Sequence, residues 1–298
     1  MNLGYLASLF LLLLLLPSCR ESAALRPTSV PENRPPASAQ QNLENTKTVE
    51  NIFTKETSLS YQGYTVTKLH KTVNVEGIKT EVSYAVLKKG EGVVANFDGL
   101  YHPAGNTTEF GVFPFLGGEP KQIVVEQAIP RNWRHWIVSL SPDVHVIFDS
   151  GDYGVDGELL PIDVNSDGVY EFSKTVTAFY GFENLPSSEA PLIDMLFKFD
   201  DKAKKYLPAN HIFQDHALKG IEDEIRNVDS NDGKKDLSHV LRIVLRYVYA
   251  GKEQAGWAFY DKECELPNKD QIRSKVLAKL GNEPVYKFIY GKPQVTKQ

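Results

Sequence analysis

Asp163, Asn165, Asp167 and Glu171 stand at positions one, three, five and nine of one short stretch, Asp163-Val164-Asn165-Ser166-Asp167-Gly168-Val169-Tyr170-Glu171. Hard cations such as calcium take oxygen ligands, and this spacing lets a tight loop turn several oxygens onto one point. Gly168 at position six permits the sharp turn. The ligands would be the side chains of Asp163, Asn165 and Asp167, the carbonyl of Val169, and Glu171 directly or through water. An EF-hand needs a bidentate Glu at position twelve, and that position here is Lys174. The same stretch also fits a hairpin with no metal, because Asp167-Gly168 between alternating strands is a strong turn signal. A plain turn, however, does not need three further oxygens in register.

The flanks are strand-like. Glu158–Val164 and Val169–Phe179 are rich in β-branched and aromatic residues. An acidic loop between two such strands resembles the calcium loops of FG-GAP and integrin-type propeller repeats. The resemblance covers only the neighbourhood of Asp163–Glu171. It implies calcium as the bound cation, and it makes Ile123–Phe172 resemble one or two propeller-type blades ending in the loop. Those families repeat the loop blade after blade; this chain shows it once. A second acidic stretch, Asp229-Ser230-Asn231-Asp232-Gly233, lacks an oxygen side chain at position five and reads as an ordinary loop.

The elements around the loop follow from period. From Tyr61 to about Leu207 the pattern has period two or short apolar runs. It predicts strands at Tyr64–Leu69, Glu81–Lys88, Gly92–Phe97, Phe110–Phe115, Gln122–Ala128, Trp136–Leu140, Val144–Phe148 and Leu192–Phe199, besides the two that flank the loop. Asp149, Asp152 and Asp156 lie just before the loop and read as turn residues, with extra ligation as the alternative. Trp133 and Trp136 read as a turn residue and a core residue, or as a platform for a sugar or peptide.

After Pro208 the period becomes helical. Helices are predicted over Ile212–Val228, Leu237–Ala250, Glu253–Lys262 and Lys269–Leu280, with Asp236 and Asn268 as caps and Gly251 and Gly281 as stops. Glu283–Tyr290 reads as a strand or a docked extended segment. The spacing Ala255, Phe259, Pro267 resembles half of one tetratricopeptide repeat, though core packing accounts for the same residues. The expected fold class is therefore α+β: an antiparallel β meander, as a sandwich or partial propeller, over 51–208, then a small helical domain over 209–298.

The N-terminal segment predicts location. Leu6–Leu16 is an apolar run of about eleven residues, too short to span a bilayer and suited to a signal-peptide core over 1–18. It ends in Leu16-Pro17-Ser18-Cys19, which resembles the lipobox of bacterial lipoproteins. That resemblance implies cleavage before Cys19 and acylation of its thiol and amine. The first ten residues carry no Lys or Arg, and Pro17 departs from the usual pattern. Residues 19–50 are polar and Pro-rich, so they read as a lipidated, disordered tether. Arg20 after the Cys favours the outer membrane in a two-membrane cell.

Composition narrows the function. The chain has only two cysteines, so an exported protein with Cys19 acylated has no internal disulfide. The net charge of −5, with no clustered Lys or Arg, excludes nucleic acid as an expected partner. No zinc-protease motif, nucleophile elbow or phosphate loop occurs. The expectation is a non-enzymatic cell-envelope lipoprotein with a calcium-stabilised β domain, acting as a binding or structural module. Its partners would be the membrane, through the lipid, and an unidentified protein or glycan. The alternatives are an exported hydrolase of an envelope polymer and an assembly factor that grips a partner through its helical tail.

Overall fold

Strand β7 (Gln122–Ile129) carries the almost continuous apolar run Ile123-Val124-Val125, and all three side chains are buried. Successive side chains of a strand point to opposite faces. Val124 accordingly packs into one apolar cluster, while Ile123 and Val125 pack into another. Its neighbour β8 (Asn132–Ser139) does the same: Ile137 joins the first cluster, and Trp136 and Val138 the second. A strand buried on both faces belongs to a middle layer.

A computed structural model describes residues 52–230 and 237–291, which fall within one compact unit. Cys19, the tether and the Asp236 cap lie outside the described residues, as does the second acidic stretch from Asn231 onward. The fold is α+β, with three antiparallel sheets and a C-terminal helical part. The middle sheet has the order β1-β6-β7-β8-β9, where β1 is Phe53–Thr54, β6 is Thr107–Phe113 and β9 is His145–Asp149. A second sheet, β2-β3-β4-β5, is formed by Ser58–Tyr61, Tyr64–Val75, Ile78–Lys89 and Gly92–Phe97. It packs Val66, Ala85, Leu87 and Phe97 against one face of the middle sheet. The third sheet, β10-β11-β12-β13, is formed by Val155–Ile162, Glu171–Val176, Ile193–Asp200 and Lys205–Pro208. Its Phe172, Met195 and Phe197 share the other cluster with Val124 and Ile137. Residues 123–172 are thus divided between two sheets.

The helical part is α2 (Gln214–Ala217), α3 (Ile221–Ser230), α4 (Leu237–Tyr249), α5 (Glu253–Glu263), α6 (Lys269–Leu280) and α7 (Pro284–Tyr290). A one-turn helix, α1 (Ser150–Tyr153), sits between β9 and β10, where turns are expected from the sequence. The apolar stripe of α4 is fully used: Val240, Leu241, Val244, Leu245 and Val248 are buried in the cluster that also holds Phe172 and Phe197. The helix expected over Ile212–Val228 is broken at Leu218–Gly220, where Gly220 has φ +77°. Gly251 ends α4 with φ +78°, while Asn268 makes no capping hydrogen bond.

Glu283–Tyr290, expected to be extended, is helical. Pro284 occupies the first turn, where its missing N–H costs nothing, and the Glu283 carboxylate accepts from the N–H groups of Val285 and Tyr286. Among the described residues no helix is long and apolar enough to cross a membrane.

Candidate functional site: an acidic loop beside a charged cleft

The acidic stretch joins β10 to β11 as a hairpin, with Ile162 opposite Glu171. Both readings of the sequence required that hairpin. Its tip turns through Ser166 at φ +59° and Gly168 at φ +83°. Asp163 organises the turn: its carboxylate accepts from Asp167 N (3.1 Å) and Gly168 N (3.0 Å). Asp167 in turn accepts from Val169 N (2.8 Å) and from the Asn165 amide (2.7 Å). Those hydrogen bonds, the one to the Val169 N–H foremost, hold the Asp167 carboxyl below its ordinary value.

Glu171 is fully buried, and its two oxygens have different partners. One accepts from Val164 N at 3.0 Å across the hairpin; the other accepts from Lys198 Nζ at 2.9 Å. Lys198 projects from β12 and also reaches Asp167 at 3.3 Å. Burial works against its charge, but the hydrogen bonds to Glu171 and Asp167 raise the ammonium pKa overall. A single cation, the ammonium of Lys198, therefore sits across positions five and nine of the loop.

The seat of the loop is built by the segment that follows β6 and by β13. Tyr170 N donates to Phe115 O at 2.8 Å, and the Tyr206 hydroxyl donates to Tyr170 O at 2.9 Å. Gly117, at φ +73°, lies under the tip, where an added Cβ would stand 2.6 Å from Gly168 O. Between this loop and the turn after β8 lies a cleft of about 670 Å³. Its rim carries Asp143, Asp167 and Asp201 against Lys198 and Lys204, with His145 beside them. Val169 and Phe199 give it apolar wall.

The donor chemistry suits a hard cation: three carboxylates, an amide oxygen and a carbonyl. The arrangement is less simple. Asp163 is engaged by backbone N–H groups, and Asp167 and Glu171 by Lys198. Among the described residues no group of three or more His, Cys, Asp or Glu side chains is placed to hold a metal. A divalent ion at Asp167 and Glu171 has to compete with Lys198.

Sequence reasoning missed Lys198, which lies 27 residues beyond Glu171 and reaches it only through strand pairing. Asp149, Asp152 and Asp156 do not join the loop in any hydrogen bond. Asp149 caps α1 and takes the Arg134 guanidinium on both oxygens, at 3.0 and 2.9 Å. Asp156 accepts from Trp133 N and Gly157 N. Trp136 is core, as expected, while Trp133 lies inside β8 and is half-buried against another pocket. Lys174, the residue where an EF-hand would place its Glu, is buried between the middle and third sheets.

No family model, no curated protein and no solved structure matches this chain.

Proposed function

We propose that this chain is a non-enzymatic cell-envelope lipoprotein, anchored through an acylated Cys19, that uses the cleft beside its acidic loop as a binding site. The observation that carries the binding reading is the placement of Asp167 and Lys198. Both belong to the loop's own charge network, and both line the cleft. Whatever cation occupies the loop therefore also sets the charge of the cleft wall. Calcium is the external cation that this oxygen set favours, and it would bind in place of the Lys198 ammonium. The envelope reading rests on the apolar run that ends at Leu16-Pro17-Ser18-Cys19.

Two measurements on the full chain test the proposal. Labelled palmitate should enter the wild-type protein and not Cys19→Ala, which should leave the membrane pellet. Millimolar calcium should raise the melting temperature of the wild-type protein, with magnesium doing less because it holds its waters in a tight octahedron. Absence of label removes the anchor, and a melting curve blind to calcium leaves the loop as a plain hairpin.

A further inference from the structure

Away from the acidic loop, four strands of two sheets place an unusual polar chain inside apolar surroundings. Glu126 on β7 lies opposite His135 on β8, and their side chains meet at 2.8 Å, His135 Nε2 to Glu126 Oε2. His135 Nδ1 is 2.9 Å from Lys174 Nζ, which enters from β11 and also donates to Gly157 O on β10. With Lys174 donating, Nδ1 accepts, so Nε2 carries the ring proton and donates to Glu126. The inner two members are sealed: His135 is 0 % exposed and Lys174 1 % exposed. Lys174 is flanked on its own face by Phe172 and Val176, both core residues. Among the described residues no carboxylate hydrogen-bonds the amine directly.

The outer member faces a pocket. Glu126 lines a cavity of about 340 Å³ with Glu109, Glu158, Trp133, Phe53 and Leu160. That volume suits a small ligand. Two aromatic rings and three carboxylates line it, with no Lys, Arg or His. Glu109 and Glu126 stand directly opposite each other across β6 and β7. Like charges so placed destabilise a strand pair unless something lies between or beside them to offset the repulsion. Aromatic faces beside carboxylates are the usual surroundings of an organic ammonium, which they attract through ring quadrupole and charge together.

We propose that this pocket binds a small organic ammonium with Glu126 as its counter-ion, and that His135 and Lys174 behind Glu126 couple the binding to release of a proton. The coupling is electrostatic. A charged Lys174 offsets Glu126 through the neutral imidazole and repels an incoming cation. A neutral Lys174 leaves Glu126 uncompensated. Other charged groups around the amine are Asp156 and Glu158 of β10, both acidic, and they favour its protonated form. From β12 the residue paired with Lys174 is Met195, which carries no charge. Burial opposes the lysine charge more strongly and brings the ammonium down to about 7. His135 is held well below its ordinary value by burial and then by Lys174, so it stays neutral and only relays the charge.

The probe is n-butylammonium chloride, titrated calorimetrically into the full chain. Saturable binding is expected at pH 8, about tenfold weaker at pH 6, because the competent fraction falls as Lys174 takes its proton. At pH 7 the heat should depend on the ionisation enthalpy of the buffer, which reports the released proton. Glu126→Gln should abolish binding, and Glu158→Gln, at an exposed position, should weaken it at pH 8, where Lys174 is already mostly neutral. Lys174→Met should narrow the difference between pH 6 and pH 8, because only Glu126 itself then titrates. No saturable binding at pH 8 overturns the proposal, as does equal binding of n-butanol. Equal wild-type affinity at pH 6 and 8 overturns the coupling to Lys174.

Discussion

Lys198 Nζ lies 2.9 Å from Glu171 Oε1, and Glu171 is fully buried while Lys198 keeps about a quarter of its side chain exposed (26 %). The pair is asymmetric. Removing the lysine strands a carboxylate away from water, which costs about 3–5 kcal/mol when no other cation takes its place. Lys198→Met should therefore destabilise the protein strongly in chelator. Millimolar calcium should then recover more stability in the variant than it adds to the wild type, because the competitor at Asp167 and Glu171 is gone. Chemical denaturation with and without calcium measures both effects. Equal calcium responses in the two proteins would show that Lys198 and calcium do not share a site.

The loop also depends on a glycine that touches it from outside. Gly117 combines φ +73° with a Cβ position 2.6 Å from Gly168 O, so Ala there meets two obstacles at once. A left-handed backbone costs a non-Gly residue about 1–2 kcal/mol, before the clash is relieved. Gly117→Ala should lower stability by roughly 2–4 kcal/mol on that basis. Amide exchange at Asp167–Tyr170 should rise more than exchange in β7. A uniform rise would place the damage in the global fold instead of the loop seat.

The C-terminal helix offers a local test. Glu283 accepts from two N–H groups at the start of α7, Val285 N at 3.0 Å and Tyr286 N at 2.6 Å. Removing a capping side chain usually costs about 0.5–2 kcal/mol. Glu283→Ala should lose about that much, with the exchange protection of Tyr286–Tyr290 falling first. Glu283→Asp, which keeps an acceptor, should retain part of it. An alanine variant as stable as wild type would mean that packing of Val285 alone holds the helix.

These particulars show how far the sequence could be read. Strand period located β5 and the central strands closely, and the helical period located α4, α5 and α6, because short apolar runs, turn residues and the apolar stripe of α4 are all local signals. The acidic loop was legible as a hairpin for the same local reason. Glu283–Tyr290 was misread because Val285, Tyr286, Phe288, Ile289 and Tyr290 look β-like, whereas a Pro at the first turn and a capping Glu decide the outcome. The short strands β1, β2 and β13 carried too little pattern to be seen. The partners of charged groups were not legible at all. Lys198 reaches Glu171 through β11–β12 pairing, and Lys174 reaches His135 across two sheets. Such meetings are set by topology, which one sequence does not display.

The stability of the fold should depend on pH through the buried Lys174 amine. In the unfolded chain this lysine keeps its ordinary value of 10.5; in the fold, burial lowers it to about 7. Between those values the unfolded state binds a proton that the native state does not. Stability therefore rises with pH across that window, by up to about 1.4 kcal/mol per pH unit for one proton. Above both values the amine is neutral in either state and the penalty for burying charge is gone. His135 acts in the same direction at lower pH. It stays neutral when folded, so stability falls as pH drops through its ordinary 6.5 and the unfolded ring takes a proton. Glu126 opposes this trend, since burial raises its carboxyl above the ordinary 4.5 and favours the fold at acid pH, in a window below the lysine's. Lys174→Met separates the contributions. It keeps the length and packing of the side chain, removes the titration, and should be more stable than wild type at pH 7. The difference between the two proteins should shrink steadily from pH 7 to 10 as the wild-type cost disappears. Taking that difference cancels the titrating groups that do not feel Lys174. A constant difference across the window would mean that Lys174 stays charged inside the fold, held by Asp156, Glu126 and Glu158 against its burial.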